Sequence, residues 1–99
     1  MEKIVCNTPT LNKQPTRIDR WKYDLIRGAL LELVPDVGDG VLFKELAAMI
    51  RDHLGEAKLN NLGSVNWYTT TVKLHMETTG EIIRVPKSKP QCLLRNTKN

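Results

Sequence analysis

Four side chains in this 99-residue sequence have the softness or nucleophilicity to hold a metal or attack a substrate: Cys6, His53, His75 and Cys92. They are scattered, whereas metal sites normally bring at least two ligands within a few residues of each other. No Cys-x-x-Cys pair occurs, so no metal site is expected and the cysteines read as free, packed thiols. Ser64 opens an apolar-periodic segment and reads as a helix cap, not as a nucleophile. There is no glycine-rich phosphate loop and no acidic metal cluster. The sequence therefore points away from an enzyme; no cofactor and no small-molecule substrate are inferred. What remains is a set of hydrogen-bond donors and cations. Asn66, Thr70, Thr71 and Lys73 recur along one segment, and Arg84, Lys87, Lys89 and Arg95 surround a turn bounded by Pro86 and Pro90. These types suit nucleic acid. Asparagine pairs with adenine, lysine reaches guanine or phosphate, and threonine meets phosphate or a thymine methyl. Lysines at a loop tip can follow a phosphate backbone or enter the minor groove.

The charge distribution supports that direction. The chain carries 15 Lys/Arg and 11 Asp/Glu, a net +4. Residues 1–35 contribute +2, residues 36–57 contribute −3, and residues 58–99 contribute +5. A basic end on a small domain suits a polyanion, although it also suits a solvated tail that aids solubility. Hydrophobic residues make up 40% and charged residues 26%, which is globular composition. No apolar run reaches the roughly 20 residues of a spanning helix, and the first residues lack a signal-peptide pattern. A cytoplasmic protein without membrane contact is the expectation.

Three helices must position the donors. Residues 1–16, with Pro9 and Pro15, show no helical period and read as an extended arm with a short strand at Lys3–Cys6. From near Asp19, a plausible cap, Ile18, Tyr23 or Lys22, Leu25, Ile26, Ala29, Leu30 and Leu33 recur at helical steps until Pro35 stops the helix. Val41-Leu42 reads as a very short strand. Phe43, Leu46, Ala47, Ile50 and Leu54 mark a second helix over 43–54, ended by Gly55. The third runs from Ser64 to Thr79, with Gly80 as its left-handed stop. Its core face carries Val65, Tyr68, Thr69, Val72, Met76 and Thr79; Asn66, Trp67, Thr70, Thr71, Lys73, Leu74, Glu77 and Thr78 lie opposite. Ile82–Val85 and Cys92–Leu94 form a hairpin around the basic turn. The expected core is Leu25, Ala29, Leu33, Phe43, Leu46, Ile50, Val72, Met76, Ile82 and Leu93.

This order of elements predicts an α+β winged helix: a three-helix core with a C-terminal β-hairpin wing, preceded by the extended arm. The expected boundaries are 1–16 for the arm, 17–95 for the winged-helix domain and 96–99 for a frayed tail. The spacing Val72-x-x-x-Met76-Glu77-x-x-Gly80-x-Ile82-x-Arg84 resembles the end of the recognition helix and the start of the wing in many winged-helix regulators. With Arg17-Ile18-Asp19, Lys22-Tyr23, Gly63-Ser64-Val65, Trp67-Tyr68 and Val72-Lys73-Leu74, nearly the whole chain resembles a family of small uncharacterised bacterial proteins, a domain of unknown function with a winged-helix-like fold. In that family the residue after the position of Leu74 is commonly acidic, where this chain has His75. The resemblance implies the fold and carries no activity.

The leading expectation is a DNA-binding, helix-turn-helix type transcriptional regulator. Its contacts would be Asn66, Thr70, Thr71 and Lys73 on the third helix and Arg84, Lys87, Lys89 and Arg95 on the wing. Trp67 and Leu74, seven residues apart on the outer stripe, call for a cover. That cover is the arm folded back, a partner surface (a homodimer included), or nucleic acid, where an indole could stack on an unpaired base. A protein-interaction module without DNA binding is the alternative, and Glu77, repulsive to phosphate, favours it.

Overall fold

The structure, a computed structural model, describes residues 2–10 and 13–97. In chain order its elements are β1 (Lys3–Cys6), β2 (Thr16–Asp19), α1 (Arg20–Leu33), β3 (Val41–Leu42), α2 (Phe43–Leu59), α3 (Val65–Thr79), β4 (Ile82–Arg84) and β5 (Cys92–Arg95). The class is α+β. Residues 1, 11 and 12 of the expected arm and 98 and 99 of the expected tail lie outside the described residues.

The helix ends follow local chemistry. Ser64 Oγ accepts from the Trp67 amide at 3.1 Å, and Gly80 closes α3 at φ 84°. Ahead of Pro35, Val34 is extended and terminates α1. Gly55, at φ 78° and ψ 167°, breaks α2, and the residues after it make only one further helical turn. At the start of α1, Asp19 occupies the cap position without capping: its carboxylate pairs with Lys3 Nζ at 2.5 Å instead.

Two antiparallel sheets flank the helices. β1 pairs with β2 from Lys3↔Asp19 to Cys6↔Thr16, so the expected arm and the stretch before α1 form one hairpin. The second sheet has the order β3-β5-β4, with Val41↔Leu93 and Ile83↔Leu94 in register. A Cβ on Gly40 would stand 2.5 Å from the Leu93 carbonyl oxygen, so a side chain there would push the loop off β5.

Ala29, Leu46, Ile50, Val72, Met76, Ile82 and Leu93 are buried as expected. Leu25, Leu33 and Phe43 are only partly buried, and Tyr23, Ile26 and Leu30 of α1, with Val34 just beyond its end, face inward in their place. Cys6, Ile18, Leu62 and Val65 complete the centre. On α1 the inward stripe is turned by one residue from the expected one, because Leu25-Ile26 and Leu33-Val34 offer two adjacent phases. At the other end, Asn96 is fastened, its amide N–H to the Glu81 carbonyl and its side-chain NH₂ to the Gly80 carbonyl, both at 2.9 Å.

Candidate functional site

The expected DNA-contact residues other than Thr71, which faces the β1–β2 hairpin, divide into three groups once their surroundings are seen. Lys73 is the first, and the structure corrects its placement. It is not on the solvent face: its side chain is 2% exposed. At about 100° per residue it sits on the flank of the buried stripe, and its ammonium reaches under the N-terminus of α2. There it donates to Glu77 Oε2 at 2.6 Å and to Gln91 Oε1 at 3.1 Å, 4.3 Å from the centre of the Phe43 ring. Burial lowers its pKa below the usual lysine value of 10.5, opposed by the Glu77 carboxylate. A group enclosed in this way cannot reach a base or a phosphate.

Arg84 and Arg95 form the second group, with their charges already engaged. Arg84 Nε donates to Glu77 Oε1 at 2.6 Å. Glu77 therefore bridges a cation of α3 and one of β4 and ties the hairpin to the helix. Arg95 donates from Nε to the Val34 carbonyl at 3.4 Å and pairs with Asp36 at 3.7 Å. Both arginines keep partial exposure, but each already has a carboxylate beside it.

The third group is open. Lys87 and Lys89 are exposed in the β4–β5 loop and have no carboxylate partner among the described residues. Asn66 and Thr70 are exposed on the first two turns of α3. Arg51 Nη2 donates to Asn66 Oδ1 at 3.1 Å, and the Asn66 NH₂ has no partner among the described residues. Asn66 and Thr70 line a recess of about 190 Å³ between α2 and α3, completed by Phe43, Lys44, Ala47 and Thr69. Lys44 was not singled out from the sequence. Its position two residues after Leu42, where the strand gives way to the helix, is the signal that places it at a helix N-terminus.

On the other flank of α3 the β1–β2 hairpin takes over. Thr71 and Leu74 share a cleft with Cys6, Asn7 and Thr16, and both are partly covered. The Asn7 amide donates to His75 Nδ1 at 3.0 Å, and Tyr23 meets the His75 ring edge-on at 5.6 Å. Burial holds the His75 pKa below 6.5, which keeps Nδ1 free to accept. It also pushes the Cys6 thiol up to about 11. Trp67 stays 46% exposed, edge-on to Tyr68 at 4.9 Å. Lys22 Nζ stands over both Tyr68 (5.1 Å) and Trp21 (5.5 Å), joining the two tryptophans in one surface patch.

A family model described as a family of unknown function, DUF6958, matches residues 3–93. The chain belongs to that family. The match takes in β1, β2, all three helices, β3, β4 and the first two residues of β5. No curated protein matches the chain, and no solved structure does. No helix among the described residues is long and apolar enough to cross a membrane.

Proposed function

We propose that this DUF6958 chain is a winged-helix module that binds duplex DNA, mainly through backbone phosphates at its wing, and acts in the cytoplasm as a transcriptional regulator. Three helices beside a sheet of order β3-β5-β4 support the winged-helix reading, with the β4–β5 loop as the wing. The observation that carries the functional reading is the state of Lys87 and Lys89: both are exposed, and neither has a carboxylate partner among the described residues. Free cations of this kind release counterions from DNA on binding, whereas a cation already paired with a carboxylate contributes less.

Burial of Lys73 sharpens this proposal. The open part of α3 offers Asn66 and Thr70 and no cation, so base discrimination is weak and the affinity is dominated by phosphate contacts. A salt titration against mixed-sequence duplex DNA is the test. Binding that weakens steeply with salt supports the proposal, and Lys87→Ala with Lys89→Ala should reduce the salt slope by about two contacts. Absence of binding even near about 50 mM salt overturns it.

A second reading has its own observation. Trp21 and Trp67 are 37% and 46% exposed and are linked through Lys22 and Tyr68. Exposed aromatics grouped in this way suit a protein partner or a homodimer contact. On that reading Trp67→Ala changes the mass found by light scattering and leaves DNA affinity untouched; an unchanged mass removes the homodimer form of it.

A further inference from the structure

Five of the six glycines hold a positive φ, which accounts for their type; Gly28 does not. It sits in the middle of α1, exposed, and a Cβ built on it would meet nothing within 4 Å. Glycine lowers helix stability relative to alanine. Neither conformation nor packing among the described residues calls for one here. A helical glycine with open space over it suits the close approach of a second backbone. At about 100° per residue, Trp21, Leu25 and Gly28 fall within about 60° of one another on α1. Trp21 is 37% exposed, and with Leu25 it borders a recess of about 300 Å³ against the end of α2, closed by Ala57, Lys58 and Asn61. Lys58 is exposed there and has no carboxylate partner among the described residues. Asp24 lies on the opposite flank of the stripe, away from α2, where its one contact is Arg20 at 3.8 Å.

We propose that this stripe takes a second copy of the chain, in a homodimer whose α1 helices run parallel and cross at Gly28. The proposal rests on the homodimer form of the second reading and moves the contact from Trp67 to α1. A two-fold axis running along the helices sets Gly28 against Gly28, where the missing side chains let the backbones approach, and Trp21 against Trp21 where the helices diverge. The same operation exchanges the flanks, so the Asp24 carboxylate of each copy arrives beside the unpaired Lys58 of the other. An antiparallel copy would keep each flank on its own side, set Asp24 against Asp24 and leave Lys58 without a partner. Glu32, one turn beyond the crossing, is drawn aside to His53 at 3.0 Å, away from its own copy across the axis. Apolar contact at the centre and opposite charges at the edge are what a specific interface needs.

The test is sedimentation of the full chain over about 1–500 μM, a range that brackets a small helix-pair contact. A monomer–dimer equilibrium is expected, and a monomer throughout overturns the proposal. Gly28→Gln keeps the fold, because the space above it is open, and gives a distinctive pair of results. The urea midpoint at the lowest concentration rises, since a glycine has left a helix, while the affinity between copies falls about thirtyfold or more. Asp24→Lys should weaken association about tenfold, the change being made twice by symmetry, and adding Lys58→Glu should restore it. A dimer that survives in Gly28→Gln, or one that the charge exchange fails to rescue, overturns the proposal. Trp67→Ala separates the two homodimer contacts. It leaves the α1 dimer intact, whereas a dimer lost in Trp67→Ala and kept in Gly28→Gln belongs to the Trp67 surface and overturns the contact at α1.

Discussion

Two antiparallel hairpins grip α3, one on each flank, and they do so with different chemistry. On one side β1–β2 is held by apolar burial of Cys6 and Ile18 and by a neutral hydrogen bond from the Asn7 amide to His75. On the other, β4–β5 is held through a buried ammonium, a carboxylate and a guanidinium: Lys73, Glu77 and Arg84. The neutral fastening gives way when its acceptor gains a proton. The ionic one gives way when a single member is removed, because the remaining charge is then stranded away from water. The same helix is thus attached to one neighbour by a contact that pH can release and to the other by a contact that depends on charge balance.

The largest expected effect tests the ionic side. Glu77→Ala leaves Lys73 buried without a counter-charge and should cost about 3–5 kcal/mol in urea unfolding, a large share of the stability of a domain this size. Lys73→Met fills the same space without a charge, leaves Glu77 paired with Arg84, and should be close to neutral or stabilising. Equal losses in the two variants would show that the cluster acts as a mutual pair and not as a sheltered charge that needs compensation.

The neutral side should respond less to mutation and more to acid. His75→Ala should cost about 1 kcal/mol, since the exposed Asn7 amide can turn to water instead. In the wild-type chain the folded pKa of His75 lies below 6.5, with Glu81 the nearby charge opposing the effect of burial. The unfolded chain therefore takes up a proton near pH 6.5 that the folded chain binds only at lower pH. Stability falls as pH drops through that interval and is regained above it. Urea curves at several pH values should show this slope in the wild type and a smaller one in His75→Ala; identical slopes would remove His75 as the sensor.

The smallest effects belong to residues outside both fastenings. Trp67→Ala and the wing double variant Lys87→Ala, Lys89→Ala should each change stability by no more than about 0.5–1 kcal/mol. A larger loss in either case would mean that the surface group is part of the scaffold after all.

What the sequence disclosed follows the same division. The β4–β5 side of the molecule announces itself: Ser64 and Gly80 delimit α3, Pro86 and Pro90 bracket the turn, and Ile82 and Leu93 are inward residues of two short strands. On the β1–β2 side only β1 was legible, as the short strand expected at Lys3–Cys6; β2 and its pairing were not. Its strands have four residues each, the nine-residue connection lacks a tight-turn signature, and Ile18 fits a helical step from α1 as well as a strand. Lys73 was misplaced for a physical reason. Its position beside the core stripe would suit an exposed lysine snorkelling outward, and only the nearness of Phe43, Gln91 and Arg84 in space turns it inward. The i,i+4 spacing of Lys73 and Glu77 is the one local sign of that pair, and it does not distinguish a surface bridge from an enclosed one. For the recess, the sequence held Asn66 and Thr70 but not Lys44, whose part depends on α2 meeting α3.

Cys6 gives the pH-sensitive attachment a built-in clock. Its thiol is buried beneath the first hairpin and stays protonated well above neutrality, so a thiol reagent has no nucleophile to meet while β1 is seated. Labelling at that sulfur can proceed only as fast as the strand lifts away, and its rate reports how often the α3 flank is uncovered in the native molecule.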